Sequence, residues 1–259
     1  MSHYGDIGFE VKSIGDVNKI INYALSSEFD INNKTYKRKI WKIQNEESKT
    51  LQLFKIDNLK FFAKGDLENK KLDDFFVTHK NQNLSIIKIH KNSCKKNERN
   101  GFPILNFYNQ DDIPFWVTCF NAEIFCINND ESCEIELVSF ANHIEELKDA
   151  EDINATNIYN LTLSNKNNIF NGMADESYIA NFEKDISTSW LSGIIQDFVL
   201  LENPITHNKY YSIDIICLKL YIRLLVDPKL IQNKELKKGK IICGEFWNTG
   251  VLVNPNEEE

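Results

Sequence analysis

Between Trp190 and Val253, β-branched and aromatic runs are cut by turn residues at short intervals, and this pattern constrains the chain most. Trp190–Leu201 is largely apolar, Glu202-Asn-Pro-Ile-Thr-His-Asn-Lys209 is a turn, and Tyr210–Val226 resumes the run up to Asp227-Pro228. The stretch closes on Gly239-Lys-Ile-Ile-Cys-Gly-Glu-Phe-Trp247, then Gly250 and Val253. Val, Ile, Tyr, Phe and Trp suit a pleated, half-buried surface, while Pro, Gly and Asn interrupt it. The pattern predicts a small β-barrel or sandwich over 186–256, an OB-like barrel being one form.

Upstream, Ile7, Phe9 and Val11 alternate in a short strand pattern over 5–11. Ser13 then offers a helix cap with Asp16 three residues on, and Val17, Ile20, Ile21 and Ala24 recur at helical spacing. An amphipathic helix is expected from Gly15 to Leu25. Strand-forming runs follow at 36–43, 50–56, 59–63, 75–77, 84–89, 102–108, 113–120, 123–127 and 133–140. Residues 91–101 read as a polar, basic loop, and 141–153 as an acidic seam. The expected class is α+β, strand-dominated: an N-terminal helix with an antiparallel sheet in a domain at 1–155, a connecting segment at 156–185, and the C-terminal barrel.

A hydrophobic fraction of 42% with 26% charged residues is enough apolar content for buried cores and argues against wholesale disorder. The start of the chain has no basic-then-apolar leader, and no apolar run is long enough to cross a bilayer, so a soluble cytoplasmic protein is expected. Four of the six cysteines, Cys119, Cys126, Cys217 and Cys243, sit in apolar runs and read as reduced core thiols rather than a disulfide framework.

The net charge of −8 is unevenly spread. Residues 1–109 carry 19 Lys/Arg against 13 Asp/Glu, residues 110–185 carry 3 against 16, and residues 186–256 carry 8 against 6. An acidic middle repels nucleic acid and suits a basic protein surface. Asp130, Glu131, Glu134, Glu136, Glu145, Glu146, Asp149, Glu151 and Asp152 are the candidate contacts; a solvated face that keeps the protein soluble is the plainer account.

Signatures of chemistry are sparse. No Walker A loop, dinucleotide fingerprint, nucleophile elbow or His-Glu-X-X-His occurs, and no cofactor is expected. Cys119, Cys126 and Cys133 recur every seven residues, which matches no usual zinc spacing. Cys94 precedes Lys95-Lys96, where cations lower a thiol pKa, against the simpler reading of an incidental exposed thiol. His143 beside Glu145-Glu146 has the makings of a base or ligand, against a strand-end histidine in solvent. His3 and His79 have no evident partners. Asp73-Asp74 and Asp111-Asp112 would point to opposite faces of a strand and read as turn markers rather than dyads. For a nucleic-acid barrel, Tyr210, Tyr211, Tyr221 and Trp247 would be the stacking residues beside Lys237, Lys238 and Lys240, but a near-neutral barrel is poorly equipped to hold phosphates.

The opening Met1-Ser-His-Tyr-Gly-Asp-Ile-Gly-Phe-Glu-Val11, Val138-Ser-Phe-Ala-Asn-His143, Ala174-Asp-Glu-Ser-Tyr-Ile179 and the stretch from Ser192 to Val253 together resemble an uncharacterised family of bacterial cytoplasmic two-domain proteins. The likeness rests on Asn203-Pro-Ile-Thr206, Asp227-Pro228 and the Gly-X-Ile-X-X-Gly-X-Phe-Trp run at 239–247, and is thin between Leu25 and Phe120. The chain departs from the pattern where His207-Asn208 replace a glycine, and Asn supplies tolerance of positive φ there. The resemblance implies architecture and no settled activity. In size and acidity the chain is also loosely similar to immunity proteins that neutralise toxins of bacterial competitors, which implies a non-catalytic protein binder.

Overall fold

The computed structural model describes residues 18, 22, 28–31, 34–43, 49–66, 69, 71–96, 102–124, 132–148, 168–174, 177–182, 185–231 and 235–253. They form five strands of one sheet: β1 (Glu28–Ile31), β2 (Lys34–Lys42), β3 (Thr50–Ile56), β4 (Leu59–Asp66) and β5 (Lys71–His79). Ten more make a second sheet: β6 (Ser85–Lys96), β7 (Pro103–Tyr108), β8 (Pro114–Cys119), β9 (Ser132–Lys148), β10 (Asn168–Ala174), β11 (Ser177–Phe182), β12 (Thr188–Glu202), β13 (Lys209–Cys217), β14 (Leu220–Val226) and β15 (Ile241–Leu252).

The α+β class is therefore corrected. The described residues are strand-dominated with no helix of seven or more residues. The strand expected at 5–11 lies outside the described residues, as does the helix expected at 15–25 apart from Asn18 and Asn22, which are helical and exposed. The C-terminal strands are not a self-contained barrel either, because β9 is built in between β14 and β15. The sheet is mixed rather than antiparallel, since β14 pairs β9 and β15 pairs β8 in parallel.

The first sheet is a simple antiparallel meander in the order β1 to β5. In the second, β9 and β15 form a long antiparallel ribbon from Ile135↔Leu252 to Lys148↔Ile241. On its outer edges β9 pairs first with β6 (132–135) and then with β14 (137–140). Likewise β15 pairs with β12 over 241–247 and with β8 at 249–250. The pairings thus close two five-stranded circuits, β9-β15-β8-β7-β6 and β9-β15-β12-β13-β14, which follow one another along the shared ribbon. Closure covers most strand edges of the two circuits, the far end of β12 excepted, and their inward residues make one apolar core, from Ile87, Leu105 and Phe107 to Ile213, Ile222 and Phe246.

A second core lies between the layers. Phe62, Phe76, Phe102, Phe120, Phe140 and Trp247 meet there, with Phe76 against Phe120 at 4.5 Å and edge-on to Trp247 at 4.8 Å. Strand β4 is buried on both faces, including its two lysines, Lys60 and Lys64.

Local chemistry explains most turns. Asp57, at φ 50°, opens the two-residue link between β3 and β4. The turn at 203–208 forms as expected, but the positive φ (61°) falls on His207 rather than Asn208. Tyr210–Val226, read as one run, is two strands: Leu218 (φ 50°) and Lys219 (φ 61°) make a tight left-handed turn with neither Gly nor Asn. Residues 91–96, expected as loop, and 141–148, expected as seam, continue β6 and β9, while Glu123 and Ile124, expected to begin a strand, lie in a 3-10 turn at Ala122–Ile124.

Candidate functional site

Strand β9 departs from regular pairing at two points, and its polar residues gather there. Phe246 pairs Ala141 and Glu245 pairs His143, so Asn142 is an extra residue; Gly244 pairs Ile144 and Cys243 pairs Glu146, so Glu145 is another. Each bulge shifts the alternation by one. Leu137, Ala141 and Ile144 all reach the inner core, while Asn142, His143 and Glu145 are turned outward: Asn142 is half-buried, His143 and Glu145 are exposed. The partner strand must yield room. A Cβ on Gly244 would lie 2.1 Å from the His143 carbonyl oxygen, so only glycine fits.

The outward residues form a row across three strands. His143 pairs Glu245, and Glu245 pairs Trp190 on β12. The Asn142 amide donates to Glu245 Oε1 at 3.0 Å, and the His143 ring meets the Trp190 ring edge-on at 6.1 Å. A carboxylate (Glu245), an indole and an imidazole on one patch, with Glu145 exposed further along β9, suit a cationic side chain, which an aromatic face and a carboxylate hold together. Among the described residues no group of three or more His, Cys, Asp and Glu is placed to hold a metal ion.

The other acidic candidates scatter. Glu134 is exposed on β9, opposite Ile86. Glu146 lies in β9 opposite Cys243. Asp130, Glu131, Asp149, Glu151 and Asp152 lie outside the described residues. Glu136 is not a surface contact: it is buried and accepts from Lys60 Nζ at 2.6 and 2.7 Å and from the Asn81 backbone N–H at 3.2 Å.

Sequence reasoning missed this interior polar seam, whose members are far apart in the chain. Lys64 pairs Glu123 at 2.6 Å. Arg223 forks onto Asp214 at 2.7 and 2.8 Å and donates to the Lys80 carbonyl at 2.6 Å. His79 has Nδ1 on that same carbonyl at 2.7 Å, so Nδ1 carries the proton, and among the described residues the buried Nε2 has no hydrogen-bond partner. Burial pushes its imidazole down to about 4. Burial likewise holds Lys60 below the ordinary lysine range, outweighing the opposing pull of Glu136. Beside this seam, Asn81, Asn83, Gln196, Asp214 and Tyr221 line a cleft of about 250 Å³.

Asp73 and Asp74 lie within β5 and not at a turn; burial raises the Asp74 carboxyl to about 6, whereas Asp73 pairs Lys49 at 2.9 Å. Asp111 meets Lys219 at 2.5 Å, and Asp112 (φ 58°) is a turn residue. Cys94 stands in β6 opposite Leu105, not in a loop. Cys119, Cys217 and Cys243 are buried, and burial pushes the Cys217 thiol up; Cys126 lies outside the described residues. Of the stacking candidates, Tyr210 and Trp247 are buried, the latter donating to Thr118 and Ser187, and Tyr211 is half-buried. Tyr221 alone of the four is exposed.

Comparison with known proteins finds no matching family model, curated protein or solved structure. Among the described residues no helix is long and apolar enough to cross a membrane.

Proposed function

We propose that this chain works by binding another protein, and that a basic segment of that partner seats on the bulged face of β9. The supporting observation is the pair of bulges that turns Asn142, His143 and Glu145 outward beside Glu245 and Trp190. Bulges are specific features that re-aim side chains, and this one requires a glycine at 244. A lysine or arginine of the partner would lay its stem on the Trp190 ring and its charge between Glu145 and Glu245. The excess of 16 acidic over 3 basic residues in 110–185 would steer such a partner toward the patch. An immunity-like role in the cytoplasm is the biological form this reading takes.

The test is capture of partners from native lysate by the intact protein and by a Glu145→Gln, Glu245→Gln double variant. A basic protein retained at low salt, released at high salt and lost with the double variant is the expected result. Absence of any salt-sensitive protein partner would count decisively against the reading.

A further inference from the structure

Strand β12 runs on past its neighbours as the outer strand of a hairpin arm. Its contact with β15 ends at Ile194↔Ile241, and the backbone of Ile195 is closed by Lys240 and Gly239 at 2.9 and 2.8 Å. From Asp197 to Glu202 only β13 pairs it, leaving the opposite edge without a described strand. The outward groups can be assigned. Asn203 donates to the Asn208 carbonyl at 2.9 Å and so faces β13. With a period of two, Leu201 and Val199 also face β13, while Glu202, Leu200 and Phe198 turn their N–H and C=O outward. The Asp197 carboxylate accepts from the Phe198 N–H at 2.8 Å, in keeping with this parity.

The edge is apolar on both faces. Phe198 packs on the inner core and Leu201 on the interlayer core, leaving Val199 49% and Leu200 43% exposed. Natural sheets blunt such edges with lysine, proline or a covering segment, and the Phe198-Val-Leu-Leu201 stretch has none of the first two.

We infer that the edge of β12 from Phe198 to Glu202 is a docking site for an extended segment of a partner protein, apolar at its centre and basic at its ends, that adds as a further strand. Backbone hydrogen bonds to Leu200 and Glu202 supply the register, and Val199 and Leu200 supply apolar contact on the two faces. The basic ends follow from Asp197 and Glu202, which bracket the apolar residues. Their present contacts, Lys238 and His207, each at 2.8 Å, are exposed pairs that a closer cation displaces. A second copy is the poorer occupant. Antiparallel pairing centred on Leu200 leaves an Asp197 and a Glu202, on opposite faces, at each end of the pair with no cation supplied by the other copy, between chains that each carry −8. The arm lies apart from the β9 row, and its assignment does not depend on that site.

The experiment uses the full chain and an end-blocked probe peptide, Lys-Thr-Val-Thr-Val-Thr-Val-Lys, with a glutamate-ended peptide as control. Binding read by amide exchange is expected to slow the Leu200 and Glu202 amides at least about tenfold, with the control at least tenfold weaker. Leu200→Pro removes an outward N–H while sparing the ladder to β13, and is expected to abolish the effect. Leu200→Lys keeps the N–H but repels the probe, and serves should the proline variant unfold. Protection at other amides, equal binding of the two peptides, or binding undiminished in both variants overturns the assignment. So does a wild-type dimer in sedimentation that Leu200→Lys dissociates, since the occupant is then a second copy.

Discussion

Lys60 of the smaller sheet and Glu136 of the larger hold a bidentate ion pair at 2.6 and 2.7 Å with side chains only 6% and 11% exposed. Each charge is tolerated inside because the other is there. Lys60→Met leaves a buried carboxylate with only the Asn81 amide, and is expected to cost about 3–5 kcal/mol. The double replacement Lys60→Met, Glu136→Leu should return to within about 1–2 kcal/mol of wild type, the remainder reflecting the orphaned Asn81 N–H. Urea unfolding of the two variants measures both values.

Two residues of β5 give stability opposing pH dependences. His79 has its folded pKa at about 4, below the ordinary 6.5, so between those values the unfolded chain takes a proton that the folded chain refuses. Its contribution is lost as pH falls from 6.5 to 4, by roughly 3 kcal/mol at ~1.4 kcal/mol per unit. Asp74 has its folded pKa raised to about 6, from 3.8, so it favours folding as pH falls through that window. Asp74→Asn should steepen the acid loss of stability between pH 6.5 and 4, and His79→Gln should flatten or reverse it. Denaturant midpoints taken across that range decide the point.

Gly244→Ala should destabilise the protein by about 1–3 kcal/mol, since the added methyl meets the His143 backbone rather than a movable side chain. Loss of the bulge would also move His143 and Glu145 relative to Trp190. A changed indole fluorescence together with the lower midpoint is the expected signature.

Lys219 sits at φ 61° and also pairs Asp111, so two variants separate the effects. Lys219→Ala removes the exposed pair and keeps the strained backbone; Lys219→Gly removes both. The glycine variant should be the more stable of the two by about 1 kcal/mol, seen as a higher melting temperature.

That turn also shows where sequence reasoning stops. Turn 203–208 was legible because Asn203 and Pro204 state their geometry locally, and β3 was legible over 50–56 because its apolar run is bounded by polar turns. Leu218-Lys219 carries no such residue, and its conformation is imposed by the pairing of β13 with β14. The β9 bulges were illegible for a related reason. Asn142-His143 breaks the alternation, which on one strand looks like the end of the strand; only Gly244, a hundred residues on, shows that the strand continues. His143 and Glu145 were therefore named as candidates without the row that joins His143 to Glu245 and Trp190.

The sequence by itself determined that this chain builds strands, where most of the described ones begin, and that its acidic residues concentrate between 110 and 185. Those properties are local: side-chain branching, turn chemistry and charge are carried by neighbouring residues. Tertiary structure alone decided that β9 threads between β14 and β15, that Lys60 finds Glu136, and that Val199 and Leu200 are left on an open edge. Strand pairing joins residues through backbone groups that every residue shares, so the order of strands leaves little trace in any one of them.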